Sequence, residues 1–166
     1  MKKRNIINFS IIIGLVLIDQ IIKYVILKYL NGFNDIVVIK NFLSITFVKN
    51  TGGAFGLFSG STYIIAFITM ILIYFLIKFI SEEKNNVIAS SYVLIVSGAI
   101  GNLIDRVYHN FVIDFISFKL FGHYFPVFNF ADILITVGVI LFFYCIVKDE
   151  KDERVKRDKS IKRRRK

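Results

Sequence analysis

Cysteine is nearly missing from this chain. Cys145 is the only one, so no internal disulfide can form and a disulfide scaffold is excluded. It lies in an apolar run and reads as a small packing residue. Histidine is almost as scarce. His109 and His123 have no third ligand-type partner at metal spacing, which gives a zinc site no support. Neither lies in an apolar run, so no Ser–His pair is placed for a membrane serine peptidase. Charge is sparse in four long stretches. No small-x-small cleavage site follows the first of them, and that stretch exceeds the ~7–15 residues of a signal-peptide core. It reads as a retained span. There is no internal repeat and no segment with the composition of a soluble domain.

What is present is apolar bulk. Of 166 residues, 55% are hydrophobic and the mean hydropathy is +0.63, more apolar than a soluble domain of this length requires and consistent with a bilayer as solvent. Four segments reach the ~20 residues needed to cross a hydrocarbon core as helix: Ile6–Leu30, Thr62–Ile80, Val87–Ile104 and Phe130–Val147. An even number of spans puts both termini on one side. Lys2, Lys3 and Arg4 open the chain and a basic tail closes it over 148–166, which makes that side the cytoplasm. The net charge of +10 is thus explained by membrane orientation and contact with anionic lipid, and no nucleic-acid partner is expected. The tail reads as a solvated, partly disordered end. Residues 1–147 form one membrane-embedded unit.

Ser81–Asn86 then falls on the cytoplasmic side, and the two longer links, Asn31–Ser61 and Asp105–Asn129, fall outside. In the first, Val38, Phe42, Ile45 and Phe47 predict short strands at the membrane surface, over about 35–58. In the second, a loop over about 106–129, Tyr108, Phe111, Phe115, Phe118, Tyr124 and Phe125 suit an interfacial aromatic belt. The fold expected is membrane all-α, four transmembrane helices with a small outer β-sheet and an outer helix or loop.

Ionisable groups in or beside spans are expensive and need a reason. Asp19 lies roughly 20 Å up the first span, at ~1.5 Å per residue. Asp105 ends the third span, Asp132 begins the fourth, and Asp114 lies in the link between them. All four gather near the outer face. Two carboxylates in a desolvated site share a proton, one acting as base on water and the other as acid, which is aspartic-peptidase chemistry without metal or cofactor. Asp19 has Lys23 at the next turn and Asp105 is followed by Arg106; a neighbouring cation favours the charged form. Asp114 and Asp132 have no adjacent cation. This favours Asp114 with Asp132, while Asp105 with Asp132 stays open as the rival pair. Asp19–Lys23 also reads as an ion pair that lowers the cost of insertion, Asp105–Arg106 as an interface charge pair, and Asn102 and Asn129 as interhelical hydrogen-bonding groups. Each asparagine stands three residues before an aspartate, close to the same helix face. Ser97 and Gly101, four apart, allow close helix packing. An ion-coupled transporter would place acids along a path and often shows repeats; a non-catalytic scaffold would need no acids at helix ends.

Five stretches in order, DQIIK (Asp19–Lys23), VKNTGGAFG (Val48–Gly56), SGAIGNLIDR (Ser97–Arg106), VIDFI around Asp114 and FNFAD (Phe128–Asp132), resemble the lipoprotein signal peptidases, the signal peptidase II family. They cover the chain from the first span to the fourth. Gly53 stands where that family commonly has alanine, and Ser97 where it has glycine. The resemblance implies a bacterial cytoplasmic-membrane aspartyl endopeptidase with Asp114 and Asp132 as the catalytic dyad. It implies that Asn50, Asn102 and Arg106 line the site, that Asn129 supports the dyad, that Asp19, Lys23 and Asp105 are polar residues near it, and that Gly52, Ala54, Phe55 and Gly98 shape it. The implied substrate is a diacylglyceryl-modified prolipoprotein, cut just before its lipidated cysteine by a monomer with its active site near the outer face. The implied inhibitor is the cyclic peptide globomycin, bound at the dyad, and no cofactor is implied.

Overall fold

In a bilayer every backbone polar group must be satisfied within the protein, so uninterrupted apolar segments become helices. None of the four segments contains proline; Pro126, the only one in the chain, stands just ahead of the last. A computed structural model describes residues 2–30, 35–52 and 62–164, with side chains described from 3 to 150 within those segments. Its helices are α1 (Lys2–Leu30), α2 (Thr62–Glu82), α3 (Asn86–His109) and α4 (Phe130–Arg164). All four are long and apolar enough to cross a membrane. The third span outruns its expected end at Ile104, so Asp105 and Arg106 ride on its last turns instead of in the link. Asn85 caps its start by accepting from the Val87 N–H at 2.9 Å. Asn110 ends it in the left-handed conformation at φ 62°, a conformation asparagine tolerates.

α3 is the hub, packed by α1, α2 and α4, and it carries the largest buried share of the four. Its small residues explain how closely α4 approaches. A Cβ on Gly98 would collide with the Ala131 carbonyl oxygen and stand 2.8 Å from Ile135 Cγ1. Lower down, a Cβ on Gly138 of α4 would stand 2.8 Å from the Ser91 carbonyl oxygen. Toward the other end of the bundle, Ile12, Leu76, Ile80, Val93 and Val96 form an apolar core.

Beyond one end of the bundle lies a four-stranded sheet, β1 (Ile36–Ile39), β2 (Leu43–Asn50), β3 (Val112–Leu120) and β4 (His123–Tyr124), in that spatial order. The named strand pairs are antiparallel. The first link supplies β1 and β2 as expected. The second link, expected as loop, supplies β3 and β4, and Asp114 stands on a strand. β3 is buried from Val112 to Phe115, which hides it from the alternating pattern that marks a half-buried strand. Ile113 and Phe115 pack with Ile26 and Leu30 at the end of α1. Phe115 therefore belongs to a core, and Phe111 and Phe118 are half-buried, whereas Tyr108, Tyr124 and Phe125 are exposed as a belt requires.

The basic tail also differs from the expected irregular end. α4 continues unbroken through it to Arg164. No proline or glycine interrupts the chain after Gly138, and Glu150–Arg154, Asp152–Lys156 and Glu153–Arg157 stand at the i, i+4 spacing that supports exposed helix.

Candidate active site

β3 and the start of α4 are sewn together beside Asp114. The Phe115 and Ile116 N–H groups donate to the Phe128 carbonyl at 3.0 and 2.7 Å, and the Phe128 N–H donates back to Ile116 at 3.1 Å. Strand alternation turns Asp114 away from the face that Ile113 and Phe115 pack against α1, toward Asn129, the residue that precedes α4.

Asn129 is fully buried and grips both acids. Its Nδ2 donates to Asp114 Oδ1 at 2.6 Å, and its backbone N–H donates to Asp132 Oδ2 at 3.2 Å. Its Oδ1 accepts the Asp132 N–H at 3.0 Å, the reciprocal arrangement of a capping box. The Asn129 amide is thereby oriented, oxygen to the helix and nitrogen to Asp114. Asn102 closes the ring: its Nδ2 donates to Asp132 Oδ1 at 2.8 Å, while its Oδ1 accepts from Asn129 Nδ2 at 3.1 Å and Lys23 Nζ at 2.9 Å. Asn50, on the last position of β2, donates to Asp114 Oδ2 at 2.8 Å. The buried Gly52 fixes that amide as well, its N–H donating to Asn50 Oδ1 at 3.1 Å.

Asp114 is 2% exposed, whereas Asp132 is half-buried. The Asp114 carboxyl stands at about 6, raised chiefly by burial and also by Asp132, against hydrogen bonds from Asn50 and Asn129 and the charge of Lys23, which lower it. One carboxylate is thus buried and reluctant to ionise, and the other is open to water, the division of labour that acid–base chemistry on a peptide bond needs. Arg106, buried and hydrogen-bonded to the Asn102 carbonyl at 3.3 Å, feels the charges of Asp132, Asp105 and Asp114.

Asp105, the rival partner in sequence, is occupied on both oxygens. Oδ1 accepts from Gln20 Nε2 at 3.1 Å; Oδ2 accepts the Ile113 N–H and meets Lys23 Nζ, both at 3.0 Å. It is as enclosed as Asp114, but unlike Asp114 it is ion-paired with a cation, and neither of them shares the half-exposed position of Asp132. Asp19 is equally enclosed. Gly101 leaves room for it, since a Cβ there would collide with its carboxylate. Gln20 joins the site by donating to both Asp19 and Asp105; its mark in the sequence is a second polar side chain beside Asp19 in an apolar span. Ala54 and Phe55 lie outside the described residues. His109 stacks on Phe111 and His123 is exposed in β4. Among the described residues no group of three or more His, Cys, Asp or Glu is arranged to hold a metal ion.

Comparison with known proteins adds an independent line. Residues 11–148 match the family model described as Signal peptidase (SPase) II. A lipoprotein signal peptidase of Clostridium tetani is 41% identical over 84% of this chain and 91% of its own. One from Staphylococcus aureus is 38% identical over 98% and 100%. A solved bacterial membrane enzyme superposes with a TM-score of 0.79 at 35% identity, covering 87% of this chain and 90% of that one.

Proposed function

The chain belongs to the signal peptidase (SPase) II family, bacterial membrane proteases that process lipoproteins, and from that premise we propose that Asp114 and Asp132 are its catalytic dyad. The observation that carries this is Asn129, one side chain and backbone N–H holding both carboxylates at once. In the proposed reaction Asp132 takes a proton from a water, whose oxygen attacks the scissile carbonyl. Asp114 donates its proton to the carbonyl oxygen as the tetrahedral intermediate forms. Collapse breaks the C–N bond, returns the proton to Asp114 and passes the Asp132 proton to the leaving amine.

The substrate is a prolipoprotein whose cysteine carries a diacylglyceryl group, cut immediately before that cysteine. The signal peptide lies in the membrane, and the bond to be cut lies at the depth where the acids gather. The basic termini support a cytoplasmic location for both ends and an outer location for the sheet and dyad. The enzyme acts as a monomer in the bacterial cytoplasmic membrane, and globomycin competes at the dyad.

Asp114→Asn and Asp132→Asn, assayed separately on a lipidated precursor in detergent, should each lose at least ~10²-fold in turnover, the scale of a positioned acid or base. Near-wild-type turnover in either would remove that residue from the dyad. Insensitivity of the wild-type protein to globomycin would count against the substrate reading.

A further inference from the structure

Each supporting acid holds the residue next to a dyad acid. Asp19 Oδ1 accepts the backbone N–H of Ala131, which immediately precedes Asp132, at 3.0 Å. Asp105 Oδ2 accepts the backbone N–H of Ile113, which immediately precedes Asp114, at 3.0 Å. Lys23 Nζ then joins the two acids, 3.0 Å from Asp19 Oδ2 and 3.0 Å from Asp105 Oδ2. An ammonium has three protons and no acceptor; the third goes to Asn102 Oδ1 at 2.9 Å. Because Lys23 can only donate, it turns the Asn102 oxygen toward itself and the Asn102 nitrogen toward Asp132. Gln20 Nε2 spans the same two acids, at 3.2 Å from Asp19 and 3.1 Å from Asp105.

We propose that Asp19, Lys23 and Asp105 form a clamp, with Lys23 as its bridge, that sets the spacing of the two catalytic aspartates. The proposal rests on the Asp114–Asp132 reading above. All three are positioning residues, since none has a face toward substrate: their exposures are 0%, 1% and 1%. Neutralising charge for membrane insertion needs only the i, i+4 pair on α1. It does not need a reach to α3, nor two backbone grips on two different elements. Asp114 and Asp132 sit on β3 and α4, which separate chain segments position, so their spacing depends on what ties those segments together. The Phe128 backbone bonds and Asn129 tie them at the dyad, and the clamp ties them a second time through α1 and α3.

The test separates spacing from charge. Lys23→Met leaves two buried carboxylates without their cation and is expected to destabilise the protein. The neutral triple variant Asp19→Asn/Lys23→Met/Asp105→Asn avoids that. Each asparagine oxygen still accepts its backbone N–H, but the cationic bridge is gone and only the neutral Gln20 amide still spans the two side chains. It should fold with a thermal midpoint in detergent close to wild type. Turnover of the lipidated precursor should nevertheless fall on the order of 10²-fold, the cost of misplacing reacting groups by about 1 Å, with KM within a few-fold.

The pH profile provides a second readout. Asp114 faces Asp132 on α4, Lys23 on α1 and Asn50 on β2, and Asp132 faces Arg106 and Asn102 on α3. Loss of the cation by itself raises the Asp114 limb and so widens the bell. Looser spacing weakens the coupling of the two carboxylates and narrows it. A triple variant with wild-type turnover and a bell no narrower than wild type would overturn the clamp and leave Lys23 a charge-compensating group. If Asp114→Asn and Asp132→Asn stay active, the dyad reading fails first, and the two failures are told apart.

Discussion

Asn129 does two jobs that substitution can separate. As the residue before α4 its oxygen caps the helix, and as an amide it donates to Asp114 and to Asn102. Serine keeps a capping oxygen and loses both amide donors; alanine loses the capping oxygen as well, and both keep the backbone N–H on Asp132. Asn129→Ala should therefore cost ~1 kcal/mol more in stability than Asn129→Ser, the worth of a cap, while both lose activity to a similar degree. Chemical denaturation in detergent beside the cleavage assay checks this. Asp114 gives a pH prediction. Its folded carboxyl is raised from 3.8 to about 6, so the folded state holds its proton where the unfolded chain has lost it. The stabilising contribution is full below 3.8 and is lost as pH rises through about 6. Thermal midpoints should accordingly fall from pH 5 to pH 7, and by less in Asp114→Asn. At this scale the sequence was informative about residue types and silent about partners. Asp105 and Asp114 both looked like candidates beside Asp132. Only the contacts of Asp105 with Lys23, Gln20 and the Ile113 N–H show it to be enclosed.

At the scale of elements, two glycines at the α3–α4 contact make a matched pair. Gly98 and Gly138 both lack room for a methyl group against backbone oxygen. Gly98 lies against Ala131, beside Asp132; Gly138 lies six residues further along α4, ~9 Å deeper. Alanine at either should cost roughly 1–3 kcal/mol by overpacking. Gly98→Ala should also cut turnover, by displacing the first turn that carries Asp132, whereas Gly138→Ala should leave turnover per folded molecule unchanged. The spans were legible because 18 or more apolar residues without proline have few alternatives in a membrane. β3 was not, because burial of Val112 to Phe115 erased the period-two signal and its aromatics mimic an interfacial belt. The tail conceals its helix for a related reason. High charge suggests a solvated coil, while the charge spacing supports helix.

For the molecule as a whole, orientation is the open quantity with the simplest measurement. Phe121 stands at the β3–β4 turn, 93% exposed, and Lys84 lies in the link between α2 and α3. In a Cys145→Ala background, Phe121→Cys should label with an impermeant thiol reagent from outside intact cells, and Lys84→Cys only after the cytoplasmic face is opened. The reverse pattern would invert the topology derived from the basic termini.

Hydropathy and the positions of the charged residues alone determined the number of membrane-capable helices and the clustering of acids at one end, because lipid leaves an apolar segment one backbone solution. The five motifs pointed to the family. What only the tertiary structure decided was the set of neighbours around each acid. Four aspartates of similar chemistry are sorted by their neighbours: two meet Lys23 and Gln20, and two are held by Asn50, Asn102 and Asn129, with Asp132 half-exposed. That sorting depends on β3 meeting α4 across the end of α1. Such a contact between segments far apart in the chain leaves no mark on local sequence.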